Sequence, residues 1–438
     1  MSTLLPVLTA YEKEHLSERQ PLPERYLGLS DEEMDVRIQA AKEKLGRRLV
    51  ILGHHYQRDE VIKFADYTGD SYKLAKQVSQ HPEAEFIVFC GVHFMAESAD
   101  VLSAPHQQVI LPDLAAGCSM SDMAAPDQLE MCWRDLGQMR ALTPAAPDRA
   151  PDVTPDLKVG PTNRAPDVTP DLKVGPTSGV TSDRSGEELV GPTFRSGAVA
   201  RAGVIPVTYI NSAAAIKAFV GEHGGVVCTS SNAGATLRWA WDRGERILFL
   251  PDQHLGRNTA YKMGVPLDQM VVWDPDEVWG GLTPEAVRQA RIILWKGHCS
   301  VHEKFTVRQI QSLRAKHPGI RVIVHPETTW DVVQAADDSG STEYIIKTVK
   351  NSPVGSIWAV GTEIHLVNRL AREVQPERTV LSLDSFGCLC STMFRVSPNH
   401  LLWVLEGLVD GVVHNRITVP DSQKHWVKVA LDRMLSIP

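Results

Sequence analysis

The sequence of 438 residues lacks the features that mark several common classes of protein. Its seven cysteines include no CxxC pair, which argues against a zinc ribbon or a thioredoxin-like motif. An odd, sparse set of cysteines also argues against a disulfide framework. There is no GxxxxGK[ST] phosphate loop and no strand-linked GxGxxG, so nucleotide binding is not indicated. The HEKF at 302–305 is not HExxH and does not indicate a zinc protease.

Excess positive charge and long apolar runs are also lacking. The net charge is −8, so no basic surface indicates nucleic acid or an anionic membrane as a partner. No apolar run reaches the roughly 18 residues that span a bilayer, and the first residues do not follow the pattern of a secretory signal. We therefore expect a cytoplasmic protein with no membrane and no nucleic acid partner.

Aromatic residues are absent from 138–193, within a segment at 134–202 that is rich in Pro, Asp, Thr and Gly. The peptide RAPDVTPDLKVGPT occurs there twice without change, at 149–162 and 164–177. Such a composition cannot bury enough apolar surface to offset the entropy of ordering. We predict that 134–202 is a disordered insertion. The alternative is a small β-solenoid, although two short copies cannot stack a stable core.

The rest of the chain alternates β-branched runs with helical patterns, which is typical of parallel α/β architecture. It also repeats itself weakly, because runs at 47–57, 203–219 and 320–333 each read as a strand that ends in polar residues before a helix. Ligands of such sheets bind beyond the carboxyl ends of the strands. We predict three similar three-layer α/β domains that are related by a pseudo-threefold axis around a central active-site cavity.

The predicted domain boundaries follow these patterns. In chain order they are an N-terminal helical segment at 1–45, a first α/β domain at 46–133, the insertion at 134–202, a second α/β domain at 203–302, a third at 303–395 and a C-terminal helical segment at 396–438.

Three cysteines, Cys118, Cys299 and Cys390, follow strand-like runs or lie in polar turns beside glycines. Glycine lets backbone amides approach sulfur, and amide hydrogen bonds stabilise thiolate-ligated clusters. One cysteine from each repeat can form a three-thiolate metal site. Cysteine is also among the most buried residue types, so simple packing is the alternative.

Histidines and hydroxyl groups recur at corresponding strand ends. His54 and His325 both end strand-like runs, and each is followed two residues later by a polar group, Tyr56 or Glu327. Histidines in such places can bind carboxylates, and Glu327 can act as a general acid or base. Ser71 and Ser341-Thr342 stand at helix starts, where capping is the commonest use and anion binding the alternative.

Motifs in register along nearly the whole chain resemble the quinolinate synthase family. They are HHYQ at 54–57, GDS at 69–71, GVHFMAES at 91–98, LPDLAAGCSMSDM at 111–123, VTYINSAAAIKA at 207–218, CTSSNA at 228–233, FLPDQHLGRN at 249–258, WKGHCSVHEKFT at 295–306, HPE at 325–327, GST at 340–342, VGTE at 360–363 and CSTM at 390–393. The segment at 134–202 has no matching motif. Thr328 is a second departure, because many relatives have cysteine after HPE.

The resemblance implies a 4Fe–4S cluster with three cysteine ligands and one open iron. By motif position the ligands are Cys118, Cys299 and Cys390. Cys388 lies two residues from Cys390 and is the competing choice, but CSTM matches the family's third ligand better. The open iron is expected to act as a Lewis acid toward substrate.

The resemblance also implies that iminoaspartate and dihydroxyacetone phosphate are condensed to quinolinate, with loss of phosphate and two waters. The expected catalytic residues are Glu327, Tyr56 and Tyr209. The expected substrate-binding residues are His54, Ser71, Tyr209, Asn211, Ser230, His302, His325, Ser341 and Thr342. An aspartate oxidase or dehydrogenase is expected to supply iminoaspartate. A different cluster-dependent hydro-lyase and a non-enzymatic iron–sulfur sensor are the rival interpretations.

Overall fold

Buried apolar runs form the strands of the computed structural model, which describes residues 20–141 and 202–437. In these residues the strands are β1 (Leu49–His54), β2 (Tyr67–Gly69), β3 (Phe86–Cys90), β4 (Gln108–Ile110), β5 (Ala202–Tyr209), β6 (Val226–Cys228), β7 (Gly244–Leu250), β8 (Met270–Trp273), β9 (Ile292–Trp295), β10 (Arg321–Val324), β11 (Asp338–Ser339), β12 (Ile357–Gly361), β13 (Thr379–Ser382) and β14 (Arg416–Ile417). The two identical repeats of the predicted insertion lie outside the described residues, and the disorder expected there stays a prediction.

The strands form three sheets. The first has the order β14-β4-β3-β1-β2, the second β6-β5-β7-β9-β8 and the third β11-β10-β12-β13. Every pairing of adjacent strands is parallel except that of β14 with β4. Central strands such as β1 and β9 are buried along their whole length, as expected where helices cover both faces of a parallel sheet. The predicted α/β fold class is confirmed.

The three sheets share the first part of one strand order, and each sheet with the helices that connect its strands is called a unit, first to third in chain order. When the strands of each unit are numbered from one and β14 is left aside, the first and third sheets both read 2-1-3-4. The second sheet reads 2-1-3-5-4, because β9 lies between β7 and β8. A local detail repeats as well. The Asp66 carboxylate accepts from the backbone N–H of Ile51 at 2.8 Å, and Asp337 accepts from Val322 at 2.7 Å. These repeats support related units in the first and third sheets, whereas the pseudo-threefold axis stays a prediction.

Helices connect the strands. In the described residues they are Asp31–Leu45, Asp59–Ile62, Ser71–Val78, His93–Leu102, Ser119–Asp122, Pro126–Ala141, Ala214–Glu222, Ala233–Trp241, Gln253–Lys262, Pro284–Gln289, Val307–Lys316, Trp330–Ala335, Thr342–Lys350, Ile364–Val374, Pro398–Val409 and Asp421–Ser436. Short polar side chains begin many of them. The Asp70 and Asp252 carboxylates, for example, accept from the backbone N–H three residues on, at 2.9 and 2.7 Å, which satisfies a donor that the helix leaves free.

The helix Pro126–Ala141 crosses the predicted start of the insertion at 134. Leu129, Cys132, Leu136 and Met139 are all buried. Their spacing of three or four residues places them on one helical face. Buried apolar residues therefore continue at helical spacing beyond residue 134, and the helix extends beyond that residue as well.

The segments at the two ends of the described chain pack onto the sheets. The helix Asp31–Leu45 contacts the helix Pro398–Val409, and β14 extends the first sheet. The last helix, Asp421–Ser436, lies against Ala214–Glu222 beside the second sheet. A Cβ atom on Gly221 would be only 2.1 Å from the Trp426 carbonyl oxygen, so glycine is required there. No helix within 20–141 or 202–437 has the length and apolar character to cross a membrane.

Candidate active site

Polar side chains from the carboxyl ends of strands in all three sheets line one cavity. His54 and Tyr209 end β1 and β5, and His325 directly follows β10. The predicted site residues in the lining are His54, Tyr56, Ser71, Cys118, Tyr209, Asn211, Ser230, Cys299, His302, His325, Glu327, Thr342 and Cys390. Ser341 is not in the lining. Its hydroxyl instead caps the helix Thr342–Lys350 by accepting from the backbone N–H of Tyr344 at 3.4 Å.

The three predicted cysteine ligands share one backbone geometry. Each carbonyl oxygen accepts from the backbone N–H four residues on. The three donors are Asp122, Glu303 and Phe394, at 3.2, 3.0 and 3.0 Å from Cys118, Cys299 and Cys390. Nearby backbone amides, those of Ser121, His302 and Met393 respectively, also act to lower the pKa of each thiol. The sequence therefore builds the same cysteine turn three times around one cavity.

Burial keeps these thiols protonated in the absence of metal. It raises the pKa of Cys118 to about 12 and the pKa of Cys299 well above its ordinary value, while the amide hydrogen bonds act in the opposite direction. The amides therefore stabilise the thiolate form, whereas desolvation destabilises it. A bound cation is the natural partner for such sulfurs, because metal binding releases the thiol proton.

Cys388 is not among the residues that line this cavity. Its thiol donates to the Asp384 carboxylate at 3.4 Å and packs in the core of the third unit. The fully buried Cys228 and Cys90 are likewise absent from the lining. The geometry therefore separates Cys390 from its neighbour two residues earlier, a choice that spacing alone left open.

Glu327 lies at the centre of a buried network. Its Oε1 accepts from the Tyr209 hydroxyl at 2.6 Å, and its Oε2 lies 2.8 Å from Nδ1 of His302. The other ring nitrogen of His302 is 3.1 Å from the Thr362 hydroxyl, which is 2.8 Å from the Tyr56 hydroxyl. Hydrogen bonds therefore connect both predicted catalytic tyrosines to Glu327, Tyr209 directly and Tyr56 through Thr362 and His302.

Glu327 is the charged member of this network. Burial alone raises its pKa, but the neighbouring imidazoles of His325 and His302 and the hydrogen bonds from His302 and Tyr209 lower the pKa below its ordinary range. Burial and the nearby Glu327 charge raise the pKa values of Tyr56 and Tyr209, so both phenols stay protonated at neutral pH. The cavity therefore contains an ionised base and two phenolic donors.

Two cavity histidines are neutral donors. Burial lowers the pKa of both His54 and His325 to about 3. In each case Nδ1 accepts from the backbone N–H two residues on, that of Tyr56 at 3.1 Å or Glu327 at 3.4 Å. With Nδ1 used as an acceptor, Nε2 carries the proton of the neutral ring. Both histidines can therefore donate Nε2–H to a carboxylate.

One wall of the cavity offers an unused acceptor. The Asn211 Oδ1 atom is buried and has no hydrogen-bond partner among the residues that the structure describes. The adjoining turn is fixed, because the Ser212 hydroxyl donates to the Tyr209 carbonyl at 2.8 Å and the Lys217 ammonium donates to the Ser212 carbonyl. A buried polar atom without a partner is costly, so this atom is suited to an N–H or O–H of a ligand.

Hydrogen bonds between units hold the cavity together. The Ser231 hydroxyl donates to Asp70 at 2.8 Å, joining the second unit to the first. Asn258 donates to the Pro326 and Thr328 carbonyls at 2.9 and 2.7 Å, which fixes the loop that carries Glu327. His55 lies 2.9 Å from Glu343 and joins the first unit to the third.

Sequence reasoning missed Thr362 as a residue of the site and placed Asp70 at a helix start beside Ser71 without choosing it as a site residue. Thr362 is fully buried and follows β12, and Asp70 lines the cavity beside Ser71. A signal for Thr362 was present, because VGTE at 360–363 spans the end of β12 and Thr362 is the first residue after that strand. A polar residue directly after a buried parallel strand is a candidate for the site on that ground.

Parallel sheets that meet at a buried cavity of thiol, imidazole, phenol and carboxyl groups define an α/β enzyme. The family model for quinolinate synthetase A protein matches residues 36–436 of the chain. The chain therefore belongs to the quinolinate synthetase A family, and the resemblance in its motifs is confirmed.

Individual relatives agree with this assignment. The chain is 51% identical over 415 residues to a quinolinate synthase of Acidobacterium capsulatum, covering 94% of this chain and 95% of that protein. It is 48% identical over 423 residues to a quinolinate synthase of Corynebacterium glutamicum, covering 97% and 92%. It is also 48% identical over 425 residues to one of Geobacillus kaustophilus, covering 97% and 99%.

Proposed function

We propose that this chain is a quinolinate synthase, a transferase of NAD biosynthesis in the cytoplasm. Its substrates are iminoaspartate and dihydroxyacetone phosphate, and it releases quinolinate, phosphate and two waters. The observation that carries the proposal is the meeting of three cysteine turns, which share one backbone hydrogen bond, with an ionised Glu327 in one cavity. Family membership supports the same activity.

The donor set fits an iron–sulfur cluster better than a single metal ion. In the described residues, the one group of three ligand atoms lying within 4.8 Å of one another belongs to Cys299, His302 and Glu327. His302 and Glu327 already use both ring nitrogens and both carboxylate oxygens in hydrogen bonds, to each other, to Thr362 and to Tyr209. The three cysteine sulfurs do not form such a close group, which suits a larger cluster.

Cys118, Cys299 and Cys390 would therefore hold a 4Fe–4S cluster. When bound, the cluster supplies an open iron that acts as a Lewis acid toward a substrate oxygen. Three thiolates leave one of the four irons without a protein ligand. The amide hydrogen bonds to each sulfur stabilise the thiolate form that ligation needs.

The protein groups fit an anionic substrate with an imine. The Nε2–H groups of His54 and His325 donate to carboxylates, and the hydroxyls of Ser71, Ser230 and Thr342 complete a ring of donors for carboxylate or phosphate. The free Asn211 Oδ1 accepts from the imine or enamine N–H. Small multiply charged substrates are thus bound by polar groups from all three units.

Glu327 and the two phenols fit the proton transfers that ring closure requires. Formation of the carbon–carbon and carbon–nitrogen bonds removes protons from carbon and nitrogen, and Glu327 is the ionised group that can accept them. Loss of each water requires a proton on the departing oxygen, and the protonated phenols of Tyr56 and Tyr209 face the same cavity.

The supplier of iminoaspartate acts before this enzyme. Because iminoaspartate hydrolyses in water, an aspartate oxidase or dehydrogenase must provide it close in time to its use. This class of partner follows from the chemistry of the substrate.

Anaerobic purification with iron and sulfide analysis, followed by a quinolinate assay from the two substrates, tests the proposal. We expect about four irons per chain and quinolinate formation, both lost in Cys118→Ala. A chain that takes up cluster but yields a different product would support the rival hydro-lyase. A chain that remains free of iron after reconstitution would refute the cluster and the proposed chemistry together.

A further inference from the structure

Lys217 is a fully buried lysine in the helix Ala214–Glu222, close to the cavity. Its ammonium donates to the Ser212 carbonyl and lies 5.4 Å from the centroid of the Phe94 ring, which lines the cavity. The described residues offer the ammonium no ion pair, only this carbonyl and this ring. Lysine is almost never fully buried unless its charge is paired, so the position is unusual.

The contacts of Lys217 only partly offset the cost of its burial. An ammonium has three N–H donors, and the described hydrogen bonds use one of them. A charge that is excluded from water is destabilising unless it is paired. Burial lowers the pKa of Lys217 to about 8, although the negative charge of Glu97 acts in the opposite direction. The lysine is therefore still mainly charged at neutral pH.

The Ser212 carbonyl belongs to the turn at 209–212, which connects β5 to the helix that carries Lys217. On the strand side of this turn, the Ser212 hydroxyl donates to the Tyr209 carbonyl at 2.8 Å. On the helix side, the Lys217 ammonium donates to the Ser212 carbonyl. The two contacts together fix the residue that directly follows Asn211.

The first unit holds the same region from the other side. Phe94 and Glu97 lie three residues apart on the helix His93–Leu102, and therefore on one helical face. The Glu97 carboxylate accepts from the backbone N–H of Ala214 at 2.9 Å, at the start of the helix that carries Lys217. The ammonium is therefore held at a junction of the first and second units.

Asn211 depends on this turn for its direction. It lines the cavity, and its buried Oδ1 has no hydrogen-bond partner among the described residues. No described hydrogen bond holds the Asn211 side chain, so its backbone sets where the amide points. Lys217 fixes the carbonyl of the next residue and is not itself in the cavity lining. The lysine can therefore act on a ligand through Asn211 without contacting the ligand.

We propose that Lys217 is a positioning residue that directs Asn211 Oδ1 toward the nitrogen-bearing substrate by holding the Ser212 carbonyl. This inference rests on the proposed function, in which Asn211 accepts from an imine or enamine N–H. The nitrogen-bearing dicarboxylate offers that donor, whereas the triose phosphate has no N–H. Lys217 therefore sets the affinity for one of the two substrates.

The first test measures the Asn211 side chain without any activity. The full chain, labelled with ¹⁵N-asparagine and kept free of iron, is compared with Lys217→Met, and Asn211→Ala assigns the signal. We expect the wild-type side-chain amide to have chemical shifts unlike those of free asparagine, because its direction is fixed. In Lys217→Met these shifts should move toward the free values. Lys262→Met, at an exposed lysine of the same unit, is the matched control and should leave them unchanged.

The second test measures turnover of the cluster-loaded enzyme, with iminoaspartate generated in the assay by an aspartate oxidase. Lys217→Met puts an apolar end of similar size in place of the ammonium, a change that a core often tolerates. We expect the KM for iminoaspartate to rise on the order of 10-fold, with little change in the KM for dihydroxyacetone phosphate. Asn211→Ala should raise the same KM at least as much. Adding Lys217→Met to Asn211→Ala should cause no further rise, because both changes remove one contact.

The two tests separate this inference from the proposed function. A wild-type chain that makes no quinolinate would refute the function, while the Asn211 spectra would still decide the positioning. Unchanged Asn211 shifts in Lys217→Met, a KM rise for both substrates alike, or losses that multiply in the double variant would each refute the positioning and leave the function standing. If Lys217→Met does not fold, Lys217→Gln, whose side chain ends one bond earlier, is measured in its place with the same expected outcomes.

Discussion

The Tyr209 hydroxyl and the Glu327 carboxylate lie 2.6 Å apart, although 118 residues separate them in the chain. Tyr209 ends a strand of the second sheet, and Glu327 follows the first strand of the third. The bond therefore depends on the correct packing of two units. Together with the neighbouring imidazoles of His325 and His302, this bond lowers the pKa of the carboxylate.

Removing the charge of Glu327 should impair turnover and leave the cluster in place. Glu327→Gln keeps the shape of the side chain, but the amide cannot accept a proton, so we expect kcat to fall about 10²-fold or more. Iron content and quinolinate formation are measured on the same anaerobic preparation. Near-normal turnover would remove Glu327 from the mechanism.

The choice of Cys390 over Cys388 is open to direct test. Cys390→Ala should lose the cluster, because its thiol faces the cavity and its turn matches those of Cys118 and Cys299. Cys388→Ala is the matched control, since its thiol contacts Asp384 in the core of the third unit. Iron and sulfide analysis of both variants decides the assignment. The opposite pattern of iron loss would assign the ligand to Cys388.

The contact between His55 and Glu343 should contribute stability that depends on pH. The hydrogen bond from His55 lowers the pKa of Glu343 from 4.5 to about 2, although burial acts in the opposite direction. A carboxyl with a depressed folded-state pKa stabilises the fold above its unfolded pKa. This contribution is lost as the pH falls from about 4.5 to about 2.

Urea unfolding of wild type and Glu343→Gln at several pH values measures this effect. We expect a difference of about 1 kcal/mol at neutral pH, because Glu343 is partly exposed and solvent screens the interaction. The difference should shrink below pH 4.5. Glu373→Gln, which breaks the exposed ion pair with Lys350, is the control and should show a smaller effect. Equal curves for wild type and Glu343→Gln would contradict the prediction.

Deletion of residues 142–201 should leave the cluster in place. All of the cavity-lining residues, including the three cysteine ligands, lie within 20–141 and 202–437. A short Gly-Ser linker would replace the deleted residues, and iron content and turnover would be compared with the full chain. Loss of iron from a variant that still unfolds cooperatively would show that the repeated segment supports the site.

Local patterns in the sequence predicted the parts of the site that lie at strand ends. The runs at 47–57, 203–219 and 320–333 contain β1, most of β5 and β10, and their polar ends line the cavity. Apolar strands and polar ends are neighbours in sequence, so this much is readable without a structure.

Contacts between units were not readable in the same way. Ser231 and Asp70 are 161 residues apart, and nothing local to either residue identifies the other. Thr362 escaped notice because a single buried threonine after a strand is ordinary until Tyr56 and His302 lie on either side of it. The start of the insertion was also hard to predict, because the composition changes before the apolar residues at helical spacing in Pro126–Ala141 end.

On the proposed function one cluster ligand lies in each unit, so the three ligands are synthesised one after another. A nascent chain that ends after the second unit contains Cys118 and Cys299, whereas Cys390 is synthesised only after β13. Until then the first two thiols have no third partner. The cluster can therefore be held by all three proposed ligands only after the third sheet has been synthesised.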